Sequence, residues 1–373
     1  MAHTLTVPPP SRTTASPRLW YVDNLRIVLT ALVVLHHVAV MYSGMPLWYH
    51  TEKPDSGLLG LVLTVLLLVD QAWFMGAFFL LSGHFTPGSY DRKGPAAFLR
   101  DRLVRLGIPL VVFYFVLNPL LYAGTFANGS VVEAYGHAIG SGPLWFVLAL
   151  LVFDTAYALV RLATRHRRPA VRRPLSWRAV LGFVPVLALV TYALRIVVPD
   201  GFWVPVVDFP TSAYLPQYVG FFVLGIVAYR RGWLAGITAR TGWAGLGMAV
   251  GATLVFLPLA LAGGASAWMG HGTVSSLWYA LWDSTFAVGA VLALLALFRH
   301  RFDRQGSLRR RLSRNAFTVY VLHAFLVTGA GYALSVVHLP TVAKVVIAVA
   351  VVVPLCFAVA EPIRRLPGVR RVL

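Results

Sequence analysis

Two basic side chains interrupt the first apolar stretch of the chain, residues 19 to about 42. Arg26 and His37 are eleven positions apart. In an α-helix this leaves them within roughly 20° of each other around the axis and about 16 Å apart along it. Asp23 lies near the same helix face, whereas His36 points elsewhere. Because an ionisable side chain at membrane depth costs about 2.5–3.5 kcal/mol, this face should line a protein interior or a watery cavity.

The imidazole of His37 is a candidate general base, since a histidine side chain titrates near neutral pH. The alternative is a histidine that only hydrogen-bonds to a neighbouring helix, a role that suits the adjacent His36 better. Arg26 on the same face as His37 favours a functional site.

A second group of candidates lies in the segment 78–110, FFLLSGHFTPGSYDRKGPAAFLRDRLVRLGIPL. The second helix is predicted to end at Ser82-Gly83, with a basic loop after it, and the third helix to open with Arg102 and Arg105. Two guanidinium groups at a membrane surface suit phosphate, whose oxygens they bind in a bidentate manner. The same arginines could serve only as topology anchors. His84 beside the basic loop could contact a bound ligand, but a solvated loop residue is the favoured interpretation.

The composition defines the class of protein that holds these groups. Of 373 residues, 58% are hydrophobic and 12% are charged, which indicates an integral membrane protein. The net charge of +19 would suggest a nucleic-acid partner in a soluble protein. Here the arginines lie between apolar spans, where they orient the chain in a bilayer, so no nucleic-acid partner is expected. Cys356 is the only cysteine, which excludes an internal disulfide, and no metal site is expected.

Apolar stretches of about 20 residues predict an all-α, polytopic membrane bundle of about ten transmembrane helices. The predicted spans are 19–42, 58–82, 104–124, 143–163, 178–197, 213–231, 241–262, 274–298, 315–336 and 341–361. Lys and Arg concentrate in every second connection, so the positive-inside rule predicts a multi-pass protein of the plasma membrane with both termini cytoplasmic. Residues 1–18 are predicted to be a disordered cytoplasmic tail, 19–365 the membrane domain and 366–373 a basic cytoplasmic tail.

Asp70 and His323 are the ionisable side chains that would be most costly to bury in later spans, which makes them second-tier site candidates together with Asp23. Each could equally be a hydrogen bond between helices. Trp48, Trp145 and Trp278 are typical of interfacial aromatic belts. The remaining polar residues inside spans are Gln71, Asp154, Asp283, Ser284, Asn315 and Tyr320.

Several of these segments together resemble a known family. The run DNLRIVLTALVVLHH, residues 23–37, is similar to the opening helix of the membrane-bound acyltransferase-3 family. FFLLSG followed by Arg102-x-x-Arg105 is similar to its second signature, and the segments 142–153 and 312–323 resemble later ones. Ten helices fit the family core. The second motif is similar to the one found in the members that acylate bacterial glucans. His84, however, stands where family members commonly have phenylalanine.

The resemblance implies a membrane O-acyltransferase with acyl-coenzyme A as co-substrate and no permanently bound cofactor. An acyl group, acetyl or succinyl, would pass to a hydroxyl of a carbohydrate or glycosylated acceptor. On this basis His37 would take the acceptor proton, Arg26 would orient the site, and Arg102 and Arg105, with Ser82 beside them, would bind the donor. The acceptor, the acyl chain, the side of the membrane on which transfer occurs and homo-oligomerisation are left open.

Two other classes are compatible with polar residues inside the membrane. One is a transporter or flippase of a glycan or lipid that does no covalent chemistry. The other is a haem protein, which would need two intramembrane histidines facing each other across the macrocycle. Consumption of acyl-coenzyme A separates the enzyme from the transporter, and an absorbance band separates either of them from the haem protein.

Overall fold

Helices account for nearly all the ordered secondary structure of the chain. The computed structural model describes residues 18–123, 130–164, 173–204 and 209–373. The predicted all-α bundle of ten long apolar helices is confirmed within these ranges. The ten helices are α1 (Trp20–Tyr42), α2 (Gly57–Lys93), α3 (Pro95–Leu121), α4 (Val131–Thr164), α5 (Trp177–Val197), α6 (Ser212–Arg231), α7 (Ala239–Leu261), α8 (Val274–Arg301), α9 (Ser307–Ser335) and α10 (Thr341–Arg365).

The opening helix α1 is among the most buried helices of the bundle. It packs against α8, α9 and α10 and also touches α2. A helix in this position needs apolar side chains on most of its circumference, and Leu25, Leu29, Val33 and Val34 are accordingly buried on several sides of it. The polar residues in the interior of α1, such as His36 and His37, therefore face other helices of the protein and not lipid.

The connections divide into two sets at opposite ends of the bundle. At one end, the start of α1 is tied to the end of α8, because the Asn24 side-chain amide donates to the carbonyls of Phe302 and Arg304 at 2.5 and 3.0 Å. We call this end, where the arginine-rich connections lie, the basic face. At the opposite face, Lys344 of α10 pairs with Glu52 at 2.7 Å. Which face is cytoplasmic remains a prediction.

The prediction that the second helix ends at Ser82-Gly83 is wrong. The helix continues to Lys93 and is interrupted instead at Ala72–Trp73, between Gly57–Gln71 and Phe74–Lys93. Its Ser-Gly pair is a helix crossing: a Cβ on Gly83 would lie 2.1 Å from the carbonyl oxygen of Phe222 in α6. Glycine is needed there because the two backbones touch. The glycine, serine and proline residues of this segment are also typical of turns, which is why its composition predicted a loop.

The expectation that His84 is a solvated loop residue is also wrong, because its side chain is buried in this helix against Tyr229. No basic loop separates α2 from α3. Gly94 turns the chain in a single residue with φ of 78°, and α3 begins at Pro95, which places Arg102 two turns inside the helix.

Two wide turns shape α3. The helix adopts π-helical turns at Leu103–Gly107 and Phe113–Leu117, and each is followed by a proline two residues later, Pro109 and Pro119. A proline cannot donate to the carbonyl four residues earlier, so the turn before it widens. The first wide turn carries Arg105.

Candidate active site

A cavity of about 390 Å³ lies between α1, α2, α3, α4 and α9 at the basic face, and Val372 and Leu373 also line it. Four guanidinium groups and one side-chain carboxylate line it, which gives its side chains an excess of positive charge. Aromatic and aliphatic side chains form its deeper wall. The charged lining residues are Arg26, Arg102, Arg105, Arg314 and Asp154, and the aromatic ones are Phe78, Phe85, Phe146, Phe317 and Tyr320.

Arg26 reaches this cavity from the second turn of α1. Thr30, one turn further, also lines it and donates to the Arg26 carbonyl at 2.8 Å. Asp23 lies outside the lining at the helix start, where its carboxylate is 2.8 Å from the guanidinium of Arg18 and 3.7 Å from that of Arg26. The arginine side chain is thus held at one end by Asp23 and presented to the cavity.

The two arginines of α3 line the cavity in different states. Arg102 forms an ion pair with the fully buried carboxylate of Asp154 at 2.9 Å, and Thr86 donates to the same carboxylate at 2.7 Å. Arg105 pairs with Asp101 at 3.1 Å, and 62% of its side chain is exposed. Arg102 is therefore anchored to α4, whereas Arg105 can move toward a ligand. Ser82 of α2 lines the same cavity.

His37 lies beyond the deep end of the cavity and contacts His323 of α9. Its Nδ1 is 2.9 Å from the Val33 carbonyl oxygen and 3.2 Å from His323 Nε2. The Nδ1 of His323 in turn lies 2.6 Å from the Tyr320 carbonyl oxygen. Because a carbonyl only accepts, His323 carries its proton on Nδ1 and accepts at Nε2.

These contacts determine the tautomer of His37. Both neighbours of its Nδ1 are acceptors, so that nitrogen carries the proton. The Nε2 of neutral His37 then has a free lone pair, and no described residue hydrogen-bonds to it. A histidine in this state can act as a general base and accept a proton from an alcohol as its oxygen attacks an electrophile.

Tyr320 separates the arginine-lined cavity from the histidine pair. It lines the cavity, its ring lies 5.6 Å from the His323 ring, and its hydroxyl donates to the Pro143 carbonyl. On the other side of the pair, the Trp48 ring lies 4.3 Å from the His37 ring. The two histidines are thus enclosed between Tyr320 and the connection that joins α1 to α2.

His36 and Asp70 form a separate pair on another side of α1. The His36 Nδ1 lies 3.3 Å from the Asp70 carboxylate, and its ring stacks on Phe74. Asp70 therefore does not contact His37. Among the residues that the structure describes, no group of three histidine, cysteine or acidic side chains could hold a metal ion. The haem alternative requires facing histidines, whereas His37 and His323 hydrogen-bond to each other directly.

Sequence reasoning missed three participants of this region. Arg314 lies one residue before the predicted span 315–336 and so in a predicted basic connection. In the structure α9 begins at Ser307, and Arg314 of this helix lines the cavity. Asp154 was noted only as a polar residue inside a span, with no partner. Trp48 was assigned to an interfacial belt. The charge of Asp154 inside an apolar span could have indicated an ion pair, since a buried carboxylate needs a cation.

Ten long apolar helices around an arginine-lined cavity define a polytopic membrane protein. The family model described as "Acyltransferase domain" matches residues 19–361. Glucans biosynthesis protein C of Salmonella paratyphi B is 24% identical over 285 residues, which cover 68% of this chain and 69% of that protein. Proteins of the same name from Salmonella heidelberg and Salmonella schwarzengrund are 25% and 23% identical over the same shares.

The chain therefore belongs to the acyltransferase-3 family. It is a membrane acyltransferase, and this membership decides between the enzyme and the transporter that the residues alone left open.

Proposed function

We propose that this protein transfers a short acyl group, acetyl or succinyl, from acyl-coenzyme A to a hydroxyl of a carbohydrate or glycosylated acceptor at the plasma membrane. The name of the curated relatives, which refers to glucan biosynthesis, supports a glucan-like acceptor. The donor enters the cavity at the basic face, which is cytoplasmic in this proposal.

The charge of the cavity supports a phosphate-bearing donor. Coenzyme A carries several phosphate charges, and planar guanidinium groups bind phosphate oxygens through two parallel hydrogen bonds. Arg105 is more available than Arg102, because its carboxylate partner is on the same helix and most of its side chain is exposed. Arg102 holds the cavity wall through Asp154 and adds positive charge beside the phosphates.

The state of His37 carries the proposal. Its Nδ1 is occupied by two acceptors, so Nε2 is the atom that can take a proton. The acceptor hydroxyl gives its proton to this nitrogen while its oxygen attacks the thioester carbonyl carbon. The carbon–sulfur bond breaks as the ester forms, and the imidazolium returns the proton to the coenzyme A thiolate. The acyl group must pass Tyr320, which lies between the cavity and the histidine pair, to reach His37.

A pair of matched variants tests the proposal. His37→Gln removes the base, and we expect at least a 100-fold loss of acyl-coenzyme A consumption by purified protein supplied with glucan, since general base catalysis contributes about 10²–10⁴-fold. His36→Gln is the control: it changes the adjacent residue, keeps a group that can hydrogen-bond to Asp70, and should leave most of the activity. Full activity in the His37 variant, or equal losses in both, would show that His37 is not the base.

A further inference from the structure

A second cavity, of about 180 Å³, lies between α2, α5, α6 and α8 and shares no lining residue with the arginine-lined cavity. Every side chain that lines it is apolar. We call it the apolar cavity. Its walls are Leu80, Leu175, Ala179, Val180, Phe183, Phe221, Leu224, Ala228, Trp233, Leu234, Ile237, Val288, Val291, Leu292 and Leu295.

At the opposite face, beyond the apolar cavity, α5 is held to α8 by an ion pair. There the buried guanidinium of Arg195 pairs with Asp283 at 2.6 Å and lies between the rings of Tyr214 and Tyr279. Toward the basic face, the short helix Trp233–Gly236 contributes Trp233 and Leu234 to the wall between α5, α6 and α8. The apolar cavity thus lies in the half of the bundle nearer the basic face.

Water is a poor occupant for such a cleft. A bound water molecule needs two to four polar partners, whereas the only polar side-chain group in this lining is the indole N–H of Trp233. An empty cleft would forfeit the dispersion contacts of all its wall atoms. Ala179 is exposed as well as part of the wall, so the cleft reaches the surface that faces the bilayer. A hydrocarbon chain from the membrane fits these conditions.

The rim of the apolar cavity is cationic. The guanidinium of Arg231 lies 5.6 Å from the ring centre of Trp233, which is a wall residue. Arg178 is adjacent to the wall residue Ala179 in the first turn of α5. Both arginines are exposed, and neither pairs with a carboxylate of the described residues. The apolar walls are complementary to the acyl chain of a phospholipid. The two guanidinium groups at the rim are complementary to its phosphodiester.

We propose that the apolar cavity binds one acyl chain of a membrane phospholipid whose phosphate lies against Arg231. The bound lipid fills the gap between α5, α6 and α8 and belongs to the basic-face leaflet. This site is independent of the acyl-transfer chemistry and of its donor.

Photo-crosslinking of the full-length protein in vesicles tests the site. The vesicles contain phosphatidylethanolamine and phosphatidylglycerol, with a trace of phosphatidylglycerol that carries a diazirine at the end of one acyl chain. We expect crosslinks to concentrate on the peptides that contain the wall residues of α5, α6 and α8. Labelling spread evenly over the lipid-facing helices, including exposed positions such as Leu254, would overturn the proposal.

Two variants on the same helix provide the matched comparison. Ala179→Trp places an indole in the apolar cavity and should reduce labelling of the wall peptides at least fivefold. Leu181→Trp adds the same group at an exposed position of α5 outside the wall and should leave labelling unchanged. Melting curves in detergent check that both variants fold. Equal labelling in the two variants contradicts the site.

The headgroup is tested first on the wild-type protein, where the comparison of two probes does not depend on the folding of a variant. A diazirine diacylglycerol with the same acyl chains lacks the phosphate and should label the wall peptides at least threefold less than the phospholipid. Arg231→Gln should remove that difference. Equal labelling by the two probes would overturn the phosphate contact. Loss of labelling on addition of palmitoyl-coenzyme A would identify the occupant as a donor acyl chain and overturn the lipid assignment.

Discussion

His323 acts on His37 through the single hydrogen bond between the two rings. The Tyr320 carbonyl fixes the proton of His323 on Nδ1, so its Nε2 can only accept. The resulting bond fixes the orientation of the His37 ring and leaves Nε2 of His37 free. In our proposal His323 is thus a positioning residue, since it touches neither donor nor acceptor.

Replacement of His323 should affect turnover and not donor binding. We expect His323→Phe, which cannot accept a hydrogen bond, to lower kcat by roughly 10–100-fold, part of the 10²–10⁴-fold that general base catalysis supplies. The KM for acyl-coenzyme A should stay within twofold, because the arginine-lined cavity is untouched. His323→Gln, whose amide oxygen accepts, should recover part of kcat. A rise in KM with unchanged kcat would place His323 in donor binding instead.

The arginines of α3 should act on the donor in steady-state kinetics. Arg105→Ala, alone and combined with Arg102→Ala, should raise the KM for acyl-coenzyme A about tenfold while the KM for the acceptor changes little, because each lost phosphate contact is charge-assisted. Arg100→Ala is the control, since Arg100 is an exposed arginine of the same helix that does not line the cavity. Equal effects on donor and acceptor, or an effect of Arg100→Ala of the same size, would make these residues topology anchors.

Residue types and helical spacing were enough to select Arg26, His37, Arg102 and Arg105, because charges are costly at membrane depth. Spacing along α1 also predicted that Arg26 and His37 share a face. The contact between His37 and His323 joins residues 286 positions apart, so no local pattern could reveal it. The same holds for Arg102 and Asp154, which come together only when α3 packs on α4.

The Ser-Gly pair of α2 allows this helix to pack closely against α6. Gly83 of α2 and Gly225 of α6 interlock, because a Cβ on either would lie 2.1 Å from a carbonyl oxygen of the other helix. This close crossing fixes α2, and with it Ser82 and Thr86, against the rest of the bundle. The sequence signal was ambiguous because Ser-Gly and Pro-Gly pairs are also typical of turns.

Gly83→Ala should therefore destabilise the folded protein. We expect a loss of about 1–3 kcal/mol of stability, as for other overpacked interiors, and a lower melting temperature in detergent. Gly182→Ala is the matched control, because a Cβ at Gly182, also inside a helix, meets nothing within 4 Å. If the two variants melt at the same temperature, the close crossing of α2 and α6 does not contribute to stability.

Over the whole molecule, the position of the arginine-lined cavity ties the proposed function to the orientation of the chain. Acyl-coenzyme A is a cytoplasmic, membrane-impermeant polyanion, so the basic face must be cytoplasmic for the donor to reach Arg105. The alternation of basic and non-basic connections predicts this orientation. The helix count and the grouping of the connections on two faces could be anticipated from hydropathy and charge, whereas the shape of the cavity depends on the helix packing.

Cysteine labelling determines this orientation directly. Cys356 is the chain's only cysteine, so the Cys356→Ser protein has no thiol and serves as the unlabelled control. In a Cys356→Ser background, His338→Cys introduces an exposed thiol at the opposite face, and Arg310→Cys introduces one at the basic face. We expect a membrane-impermeant maleimide to label the cysteine at 338 in intact cells and the cysteine at 310 only after permeabilisation. The reverse pattern would put the arginine-lined cavity outside the cell, beyond the reach of cytoplasmic acyl-coenzyme A, and the proposed donor would have to be abandoned even if His37 proved essential.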